Sequence, residues 1–429
     1  MKGEEQLAPT TSPPPLPSLG EGVGGGGQSG RAARRLALPT SVVVMSLLIG
    51  GLAAEIGVRL AQPVPAQDLL PLPYNHEGLR RLAAGDTYLR FDPLLGWSTG
   101  PSARGEDRGA IYRTNSAGIR SDREFGLEPA SGVRRLAAFG DSFAHCDEVN
   151  NSDCWTLRLE RAWAGTEVLN FGVPAFGPDQ AWLRYERDGR PYHPCAVLIG
   201  YYIGDIDRVV NRFRPFYTPE TSLVVGKPRF LLDRDGLSLL PNPATRLEQL
   251  DDPAWVEEAL GPHDHWYFPG TFVANPFDVF ELVRLGRTAV YRRIRRIELG
   301  SDQRESHARA YGGQVEAFQV AGQVLIRFAR EVEQDGATPV VVVFGGRAEL
   351  AAVQRGDKFY APLLDWLARE MVPTIDATDA LLAAARRSGG DPQSMLTLNS
   401  HYRGPGNQVV AETLARQLPK LTSATCRSA

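Results

Sequence analysis

A serine and a histidine far apart in the chain are the residues whose types and surroundings suggest covalent chemistry. Ser142 lies in AAFGDSFAHCDEV, where an apolar run ends at Phe139 and a Gly-Asp turn follows. A serine that follows a strand and opens a helix lies where backbone N–H groups point at an anion, which suits an acyl-transfer nucleophile. His401, in NSHYRGPGNQVV, is the candidate base for its proton.

The elements between these two residues must bring them together. Short apolar runs alternate with longer amphipathic segments, as is typical of βα units and a mostly parallel sheet. The fold class we expect is therefore α/β, a three-layer doubly wound sandwich over 131–421 with a mostly parallel five-stranded sheet. The predicted strands are 134–140, 166–172, 195–203, 338–345 and 372–378. The predicted helices are 155–164, 179–188, 314–334, 359–370 and 407–418.

The interval from about 208 to 310 breaks this alternation and is rich in Pro, Phe and Trp. We therefore expect a long insertion packed over one end of the sheet. In open α/β sheets ligands bind beyond the carboxyl ends of the strands, where such an insertion is placed to form the wall or lid of a pocket. Its segment VYRRIRRIELG carries four arginines, which we assign to a solvated helix face, with contact to a membrane surface or an anionic polymer as the alternative. These are Arg292, Arg293, Arg295 and Arg296.

The order of these blocks resembles the SGNH (GDSL-type) hydrolase superfamily. Gly140, Asp141 and Ser142 match its first block, Gly172 in NFGVP matches its second, and His401 matches its last. The resemblance implies a flavodoxin-like fold, Ser142 as nucleophile, His401 as base, and the Gly172 N–H as a donor to the oxyanion. Serine first and histidine last excludes the chymotrypsin order, and the lack of GxSxG argues against an α/β-hydrolase elbow.

The third block departs from the family pattern. The family has an asparagine whose amide completes the oxyanion hole, whereas this chain has YYIGDIDR, with Asp205 and Asp207. An ionised carboxylate there would repel a developing oxyanion, and loss of one donor costs about 10² to 10³ in rate. Asp141 and Asp205 stand with Gly172 as candidate residues for the oxyanion or the substrate.

The last block departs as well. The aspartate that normally precedes the histidine by two or three residues is replaced by Leu398 and Asn399. Asn399 can accept a hydrogen bond from the ring but brings no charge, and an Asp-to-Asn change in a related triad costs about 10⁴ in rate. Three outcomes stay open: a Ser142–His401 dyad oriented by Asn399 or a main-chain carbonyl, recruitment of Asp391 as the acid, or loss of catalysis.

The composition describes a globular protein without attraction for nucleic acid. Of 429 residues, 43% are hydrophobic and 9% aromatic, which is enough to bury a large core. Lys and Arg number 47 against 50 Asp and Glu, a formal net charge of -3, so no nucleic-acid partner is expected. No metal or cofactor is expected either, because the tight histidine pair, His263 and His265, has no Cys or carboxylate cluster at ligand spacing.

The cysteines Cys146, Cys154, Cys195 and Cys426 show no CxxC spacing. We expect free, partly buried thiols. The alternative is a bridge between Cys146 and Cys154, which are close enough in sequence to pair in an oxidising compartment.

The first sixty residues predict a tail and an anchor. Residues 1–35 are rich in Pro, Gly and Ser and should be disordered. An uncharged apolar run over 36–54 follows the basic RAARR, and its length is near the ~20 residues that cross a membrane core. The basic cluster predicts a cytoplasmic N-terminus. Glu55 and Arg59, at i,i+4 spacing, are expected to pair at the outer interface.

We therefore predict a single-pass anchor over 36–60 in the inner membrane, with the catalytic domain on the periplasmic or extracellular side. A stalk and lead-in over 61–130 would join them. Its segment 112–125 resembles one that precedes the catalytic domain in membrane-anchored bacterial members, and we expect it to pack on the domain as a β-hairpin without a catalytic role. A cleaved signal peptide and a buried core helix are the alternatives to the anchor.

Two functional hypotheses follow. The first is a serine esterase or O-acyltransferase that acts outside the membrane on an O-acylated, especially O-acetylated, glycan or another ester. The second is a catalytically impaired envelope protein that binds glycan or assembles a complex, which Asp205 and Asn399 favour.

Overall fold

The structure, a computed structural model, describes residues 40–61, 74–85, 87–234, 236–273, 275–299, 303–313 and 315–426. The predicted tail over 1–35 and the part of the predicted stalk over 62–73 lie outside the described residues. The chain divides into two units, Met1–Ala54 and Glu55–Ala429.

A parallel sheet of five strands organises the second unit. Its order is β11-β10-β7-β5-β6, which is the 2-1-3-4-5 order of a flavodoxin-like fold and confirms the expected fold class. The strands in the described residues are β1 (Leu89–Asp92), β2 (Gly96–Thr99), β3 (Arg104–Asp107), β4 (Ala110–Arg113), β5 (Arg134–Phe139), β6 (Thr166–Asn170), β7 (Ala196–Tyr202), β8 (Arg229–Asp233), β9 (Gly236–Leu240), β10 (Thr338–Phe344) and β11 (Thr374–Asp376).

Helices cover both faces of this sheet because its strands are apolar on both sides. On β7, Val197 and Ile199 face one buried cluster, and Ala196 and Leu198 face the other. The helices in the described residues are α1 (Thr40–Ala61), α2 (His76–Ala84), α3 (Ser142–His145), α4 (Trp155–Ala162), α5 (Pro178–Arg184), α6 (Arg214–Tyr217), α7 (Pro253–Leu260), α8 (Glu281–Leu299), α9 (Gln303–Ala310), α10 (Glu316–Gln334), α11 (Arg347–Gln354), α12 (Ala361–Arg369), α13 (Ala377–Ser388) and α14 (Gly404–Leu421). Helices α5, α10 and α12 pack in the first cluster, and α4, α13 and α14 in the second.

The predicted insertion, over about 208–310, holds α6 to α9 and the β8–β9 hairpin, and α10 follows it before β10. Three of its aromatic rings are buried against one another, those of Phe213, Phe216 and Phe272, which lie 5.1 to 5.9 Å apart. Of the four arginines predicted on a solvated face, Arg295 differs, because it donates to the Tyr217 carbonyl and lies over the Trp266 ring. The other three belong to α8 and are exposed.

Helix α1 is the one helix in the described part of the chain that is long and apolar enough to cross a membrane, with a mean hydropathy of 2.0 over its best window. The expected ion pair at its end is present, since Arg59 Nε lies 2.6 Å from Glu55 Oε1. The Glu55 carboxylate also accepts hydrogen bonds from the N–H groups of Glu281 and Leu282, at the start of α8.

All four cysteines form disulfides, so the expectation of free thiols is wrong. Cys146 pairs with Cys154, and Cys195 pairs with Cys426 across 231 residues of sequence. The Cα atoms lie 5.4 and 5.1 Å apart, which suits a disulfide. The second bridge ties the start of β7 to the segment after α14, a proximity that only the folded topology creates.

The lead-in forms the two hairpins β1–β2 and β3–β4 and packs on the domain. The Trp97 indole donates to the Pro174 carbonyl at 2.9 Å, and the Arg120 N–H donates to the Asn170 carbonyl at the end of β6, also at 2.9 Å. The regular hairpin ends at Arg113, just inside the predicted segment 112–125, which continues through a bridge between Thr114 and Arg120.

Candidate active site

The turn after β5 presents Ser142 as the first residue of α3. Gly140 has a φ of +148°, and a Cβ there would lie 2.7 Å from a carbonyl oxygen of β7, so the turn requires glycine. Asp141 caps α3 by accepting a hydrogen bond from the Phe143 N–H at 2.9 Å. Asp141 is therefore a buried structural cap beside the serine.

His401 reaches this serine from the other end of the chain. Its Nε2 lies 2.9 Å from Ser142 Oγ, across 259 residues of sequence. The segment before α14 holds the ring in place, because the His401 N–H donates to Thr397 Oγ1 at 3.2 Å and the ring packs on that of Phe143. The predicted nucleophile and base are thus in hydrogen-bonding contact.

The other ring nitrogen of His401 faces Glu148. His401 Nδ1 lies 3.7 Å from Glu148 Oε2, slightly beyond hydrogen-bond length. Both atoms are buried, and neither has another hydrogen-bond partner within the described ranges. The Glu148 side chain is only 3% exposed. Two buried polar atoms of opposite charge preference that face each other are arranged as the acid and the base of a triad are.

Neither acid source expected from the sequence takes this place. Asn399 Nδ2 donates to Glu148 Oε1, so Asn399 positions the carboxylate and not the ring. The Asp391 carboxylate accepts from the Gln393 N–H as the cap of a short 3-10 helix. The structure therefore supports neither Asn399 nor Asp391 as the group that orients the His401 ring. Glu148 takes that place.

Glu148 and His401 each stabilise the charged form of the other. Burial by itself would raise the pKa of Glu148, but its contacts with His401, Thr397 and Asn399 outweigh burial and lower that pKa to about 2. Burial opposes charge on His401 too, yet Glu148, Asp147 and other carboxylates raise the pKa of the imidazole above 6.5. An ionised Glu148 therefore stabilises the imidazolium that forms when His401 takes a proton.

The lead-in holds the loop that carries Glu148. Arg108 Nε lies 3.1 Å from Glu148 Oε1, and the Glu148 N–H donates to Tyr112 Oη at 2.5 Å. Arg120 is 5% exposed and donates to the Cys146 carbonyl at 2.6 Å. The disulfide of Cys146 closes the same loop. The lead-in therefore contributes positioning residues to the site, whereas the sequence suggested packing alone.

Gly172 does not present its N–H to Ser142. That N–H donates to Asn170 Oδ1 at 2.9 Å, and a Cβ at 172 would lie 2.3 Å from the His145 backbone nitrogen. Gly172 thus permits the loop after β6 to pack closely on α3. Three residues later, Ala175 lines the cavity with Ser142 and has a φ of +68°, and its N–H has no acceptor among the residues described.

Asp205 is turned toward an arginine. Asp205 is 1% exposed, and its Oδ1 lies 2.6 Å from Arg208 Nη1. Burial raises the pKa of Asp205 well above 3.8, although Arg208 opposes the shift. Arg208 Nη1 also donates to the Phe176 carbonyl at 2.7 Å and lies 3.5 Å from Asp141 Oδ2. The same Asp141 oxygen is 3.4 Å from Ser142 Oγ.

A cavity of about 320 Å³ opens over these residues. Ser142 and His401 line it together with two arginines, Arg208 and Arg214. Asp205 is not part of its lining, so the charged side chain of the third block that borders the cavity is Arg208. Around the lining, the described residues hold no cluster of His, Cys, Asp or Glu that could bind a metal ion.

No protein family and no curated protein matches this chain. Among solved structures, a member of the lipolytic protein G-D-S-L family from Veillonella parvula matches with a TM-score of 0.34 and 9% identity, over 67% of this chain and 100% of that one. The lipase/acylhydrolase from Enterococcus faecalis has a TM-score of 0.33 and 10% identity, over 67% and 96%. The acetylxylan esterase Axe2 from Geobacillus stearothermophilus has a TM-score of 0.33 and 12% identity, over 67% and 94%.

The chain is similar to SGNH-type hydrolases of known structure. The contacts of Ser142, His401 and Glu148 lie at the carboxyl edge of the parallel sheet, just after β5 ends at Phe139.

Replacement of Glu148 by glutamine should lower kcat for p-nitrophenyl acetate by about 10² to 10⁴, because the imidazolium loses its counter-charge. The same carboxylate raises the pKa of His401. Its loss lowers that pKa, so the acidic limb of the pH profile of kcat/KM should move to lower pH. Stopped-flow and steady-state rates measured across pH test both effects.

Glu128→Gln is the matched control, because Glu128 is an exposed carboxylate whose partner is His193. It should change neither the rate nor the pH limb. An unaltered rate and pH profile in Glu148→Gln would show that another group orients His401.

Proposed function

We propose that this protein is a serine esterase that forms an acyl-enzyme on Ser142. The observation that carries this proposal is the contact of 2.9 Å between His401 Nε2 and Ser142 Oγ, with Glu148 behind the ring. A nucleophile, a base and a buried acid in line are the parts that acyl transfer requires. The pairing of Asp205 with Arg208 also removes the repulsive carboxylate that favoured a catalytically impaired protein.

The geometry supports a two-step reaction. His401 Nε2 takes the Ser142 proton as Oγ attacks the ester carbonyl, and Glu148 stabilises the imidazolium. The imidazolium then protonates the leaving alkoxide as the ester C–O bond breaks, and the acyl group stays on Ser142. Water, deprotonated by His401, attacks the acyl-enzyme and releases the acid. A carrier hydroxyl in place of water would make the protein an O-acyltransferase.

Three groups are proposed to stabilise the oxyanion. The first is the N–H of Ser142, the first residue of α3, and the second is the N–H of Ala175, which lines the cavity. Neither N–H is bonded within the described residues. The third is the guanidinium of Arg208, which takes the role that an asparagine amide has in the family. A cation beside the ester favours charge that develops on the carbonyl oxygen.

The substrate we propose is a small acyl group on a larger hydroxylated carrier, such as an O-acetylated glycan. A cavity of about 320 Å³ lies at the small end of ligand sites, which span about 300–1,000 Å³. It has room for the ester and its nearest neighbours, so most of a glycan would lie outside it.

We also propose that α1 is an uncleaved anchor and that the catalytic domain lies outside the cytoplasm. Two disulfides favour an oxidising compartment. The Glu55 carboxylate caps α8, so cleavage after this helix would remove a hydrogen-bond partner of the domain. Exposed apolar side chains cluster beside that contact, as expected at a membrane surface. They include Phe277, Val279, Phe280 and Leu285.

Ser142→Ala should abolish hydrolysis of p-nitrophenyl acetate and labelling by a fluorophosphonate probe, because the attacking oxygen is lost. Ser152→Ala, at an exposed serine, is the matched control and should retain both. Equal rates in wild type and Ser142→Ala would refute the esterase proposal, and labelling that survives would place the nucleophile elsewhere.

Removal of the Arg208–Asp205 pair, by Arg208→Gln with Asp205→Asn, should lower kcat by about 10² to 10³ with a smaller change in KM. Both members are replaced together because a single change would leave a buried charge unpaired. Arg330→Gln with Glu333→Gln removes an exposed i,i+3 pair and serves as control. Full kcat in the Arg208 double variant would exclude this cation from the transition state.

Full-length protein should stay in the membrane pellet after high-salt and carbonate washes, with its N-terminus intact. Leu48→Arg with Leu52→Arg should release it, because each arginine costs about 2.5–3.5 kcal/mol at the centre of a spanning helix. Leu232→Arg with Leu239→Arg changes two exposed leucines outside α1 and should leave it in the pellet. A soluble wild-type product that begins near Gln67 would show a cleaved signal peptide.

A further inference from the structure

Arg214 is a cation without a counter-ion in the wall of the catalytic cavity. It opens α6 and lines the same cavity as Ser142 and His401. Its Nε is buried without a hydrogen-bond partner. Throughout the described ranges its guanidinium forms no hydrogen bond and no ion pair. The guanidinium carbon lies over the Tyr217 ring, 5.6 Å from the ring centroid.

Neighbouring charges do not neutralise it. Arg208, the other arginine of the cavity, is paired with Asp205 at 2.6 Å. The carboxylate of Asp147 also lines the cavity, but it is engaged by His145 Nδ1. Burial, together with Arg208, lowers the pKa of Arg214 to about 10, so the side chain is still charged at neutral pH.

Arg214 is half-buried, so its Nε has lost contact with water and has gained no hydrogen bond in return, which is unfavourable. The fully buried arginines among the described residues have their charge satisfied by carbonyls or carboxylates. Arg120 and Arg184 donate to several carbonyl oxygens, and Arg229 pairs with Glu316. Arg214 makes no such contact in the described part of the chain. Arg90 makes none either, but of the two only Arg214 lines the cavity with Ser142, where a bound molecule can supply the missing partner.

We propose that Arg214 binds an anionic group, a carboxylate or a phosphate, that is carried by the same molecule as the ester. This inference rests on the proposed esterase function and narrows its substrate to acidic acylated molecules. A guanidinium suits this task because its planar donors bind carboxylate and phosphate oxygens in pairs. Arg208 would then meet the reacting carbonyl, and Arg214 would fix the carrier beside it.

The test is equilibrium binding of amide analogues, which the enzyme does not turn over, to the full-length protein in detergent micelles. The probes are 4-acetamidobenzoate, 4-acetamidophenyl phosphate and the neutral 4-acetamidobenzamide, each measured by calorimetry. At least one anionic probe should bind about tenfold more tightly than the neutral one, as expected for one charge-assisted pair. The preferred anion identifies a carboxylate or a phosphate as the ligand.

Variants assign this preference to the residue. Arg214→Gln should remove it, and Arg214→Lys should retain part of it, because the charge stays while the paired donors are lost. Arg355→Gln changes an exposed arginine at the end of α11 and should leave the preference for anionic probes unchanged. Thermal unfolding of each variant identifies any that does not fold, and the wild-type comparison of probes decides the question without a variant.

Equal affinity of wild type for the neutral and both anionic probes would overturn the inference, as would a preference that survives Arg214→Gln. These outcomes are separate from failure of the esterase proposal. Hydrolysis of p-nitrophenyl acetate without anion preference would refute only the role of Arg214. Anion preference without Ser142-dependent hydrolysis would refute only the esterase.

Discussion

The site depends on one buried carboxylate. Glu148 is almost inaccessible to water, and a carboxylate in that position is stable only where hydrogen bonds and a cation surround it. His401, Asn399 and Arg108 meet this requirement from the C-terminal block and the lead-in. The same contacts that keep Glu148 ionised fix the ring that approaches Ser142, so the stability of the loop and the alignment of the triad have one cause.

This arrangement explains why the lead-in belongs to the domain. Tyr112 and Arg120 bind the backbone around Glu148, and the disulfide between Cys146 and Cys154 closes that loop. In the pattern of the family, a short C-terminal segment would supply both acid and base. Here the carboxylate behind the histidine comes from the loop after Ser142, so a second set of contacts must hold that loop against His401.

Arginines set the electrostatics of the cavity. Asp141 and Asp205 lie close to one guanidinium, that of Arg208, and burial raises the pKa of both carboxyl groups. Arg208 borders the cavity that Ser142 lines, whereas Asp205 does not. Arg214 adds a charge that no described residue balances. The proposed function places negative charge beside both arginines, on the oxyanion near Arg208 and on the anionic ligand at Arg214.

The sequence was enough to predict the strands of the core sheet and to identify Ser142 and His401 as candidate site residues. Alternating apolar runs were enough to predict all five sheet strands, because a strand buried on both faces must be apolar throughout. Ser142 and His401 were recognisable because each follows a local pattern. Helices α11 and α13 and the bounds of the two lead-in hairpins were not predicted, since their apolar residues are few or adjoin stronger elements.

Tertiary structure decided which polar groups meet. Glu148 lies six positions after Ser142 in a DEV triplet that has no signature of its own, and only the approach of His401 gives it a role. The sequence also gave no sign of two other contacts, the pairing of Asp205 with Arg208 and the hydrogen bond from the Gly172 N–H to Asn170. The Cys195–Cys426 bridge spans most of the domain. Local sequence records propensity and periodicity, whereas side-chain partners depend on distances that exist only once the sheet has assembled.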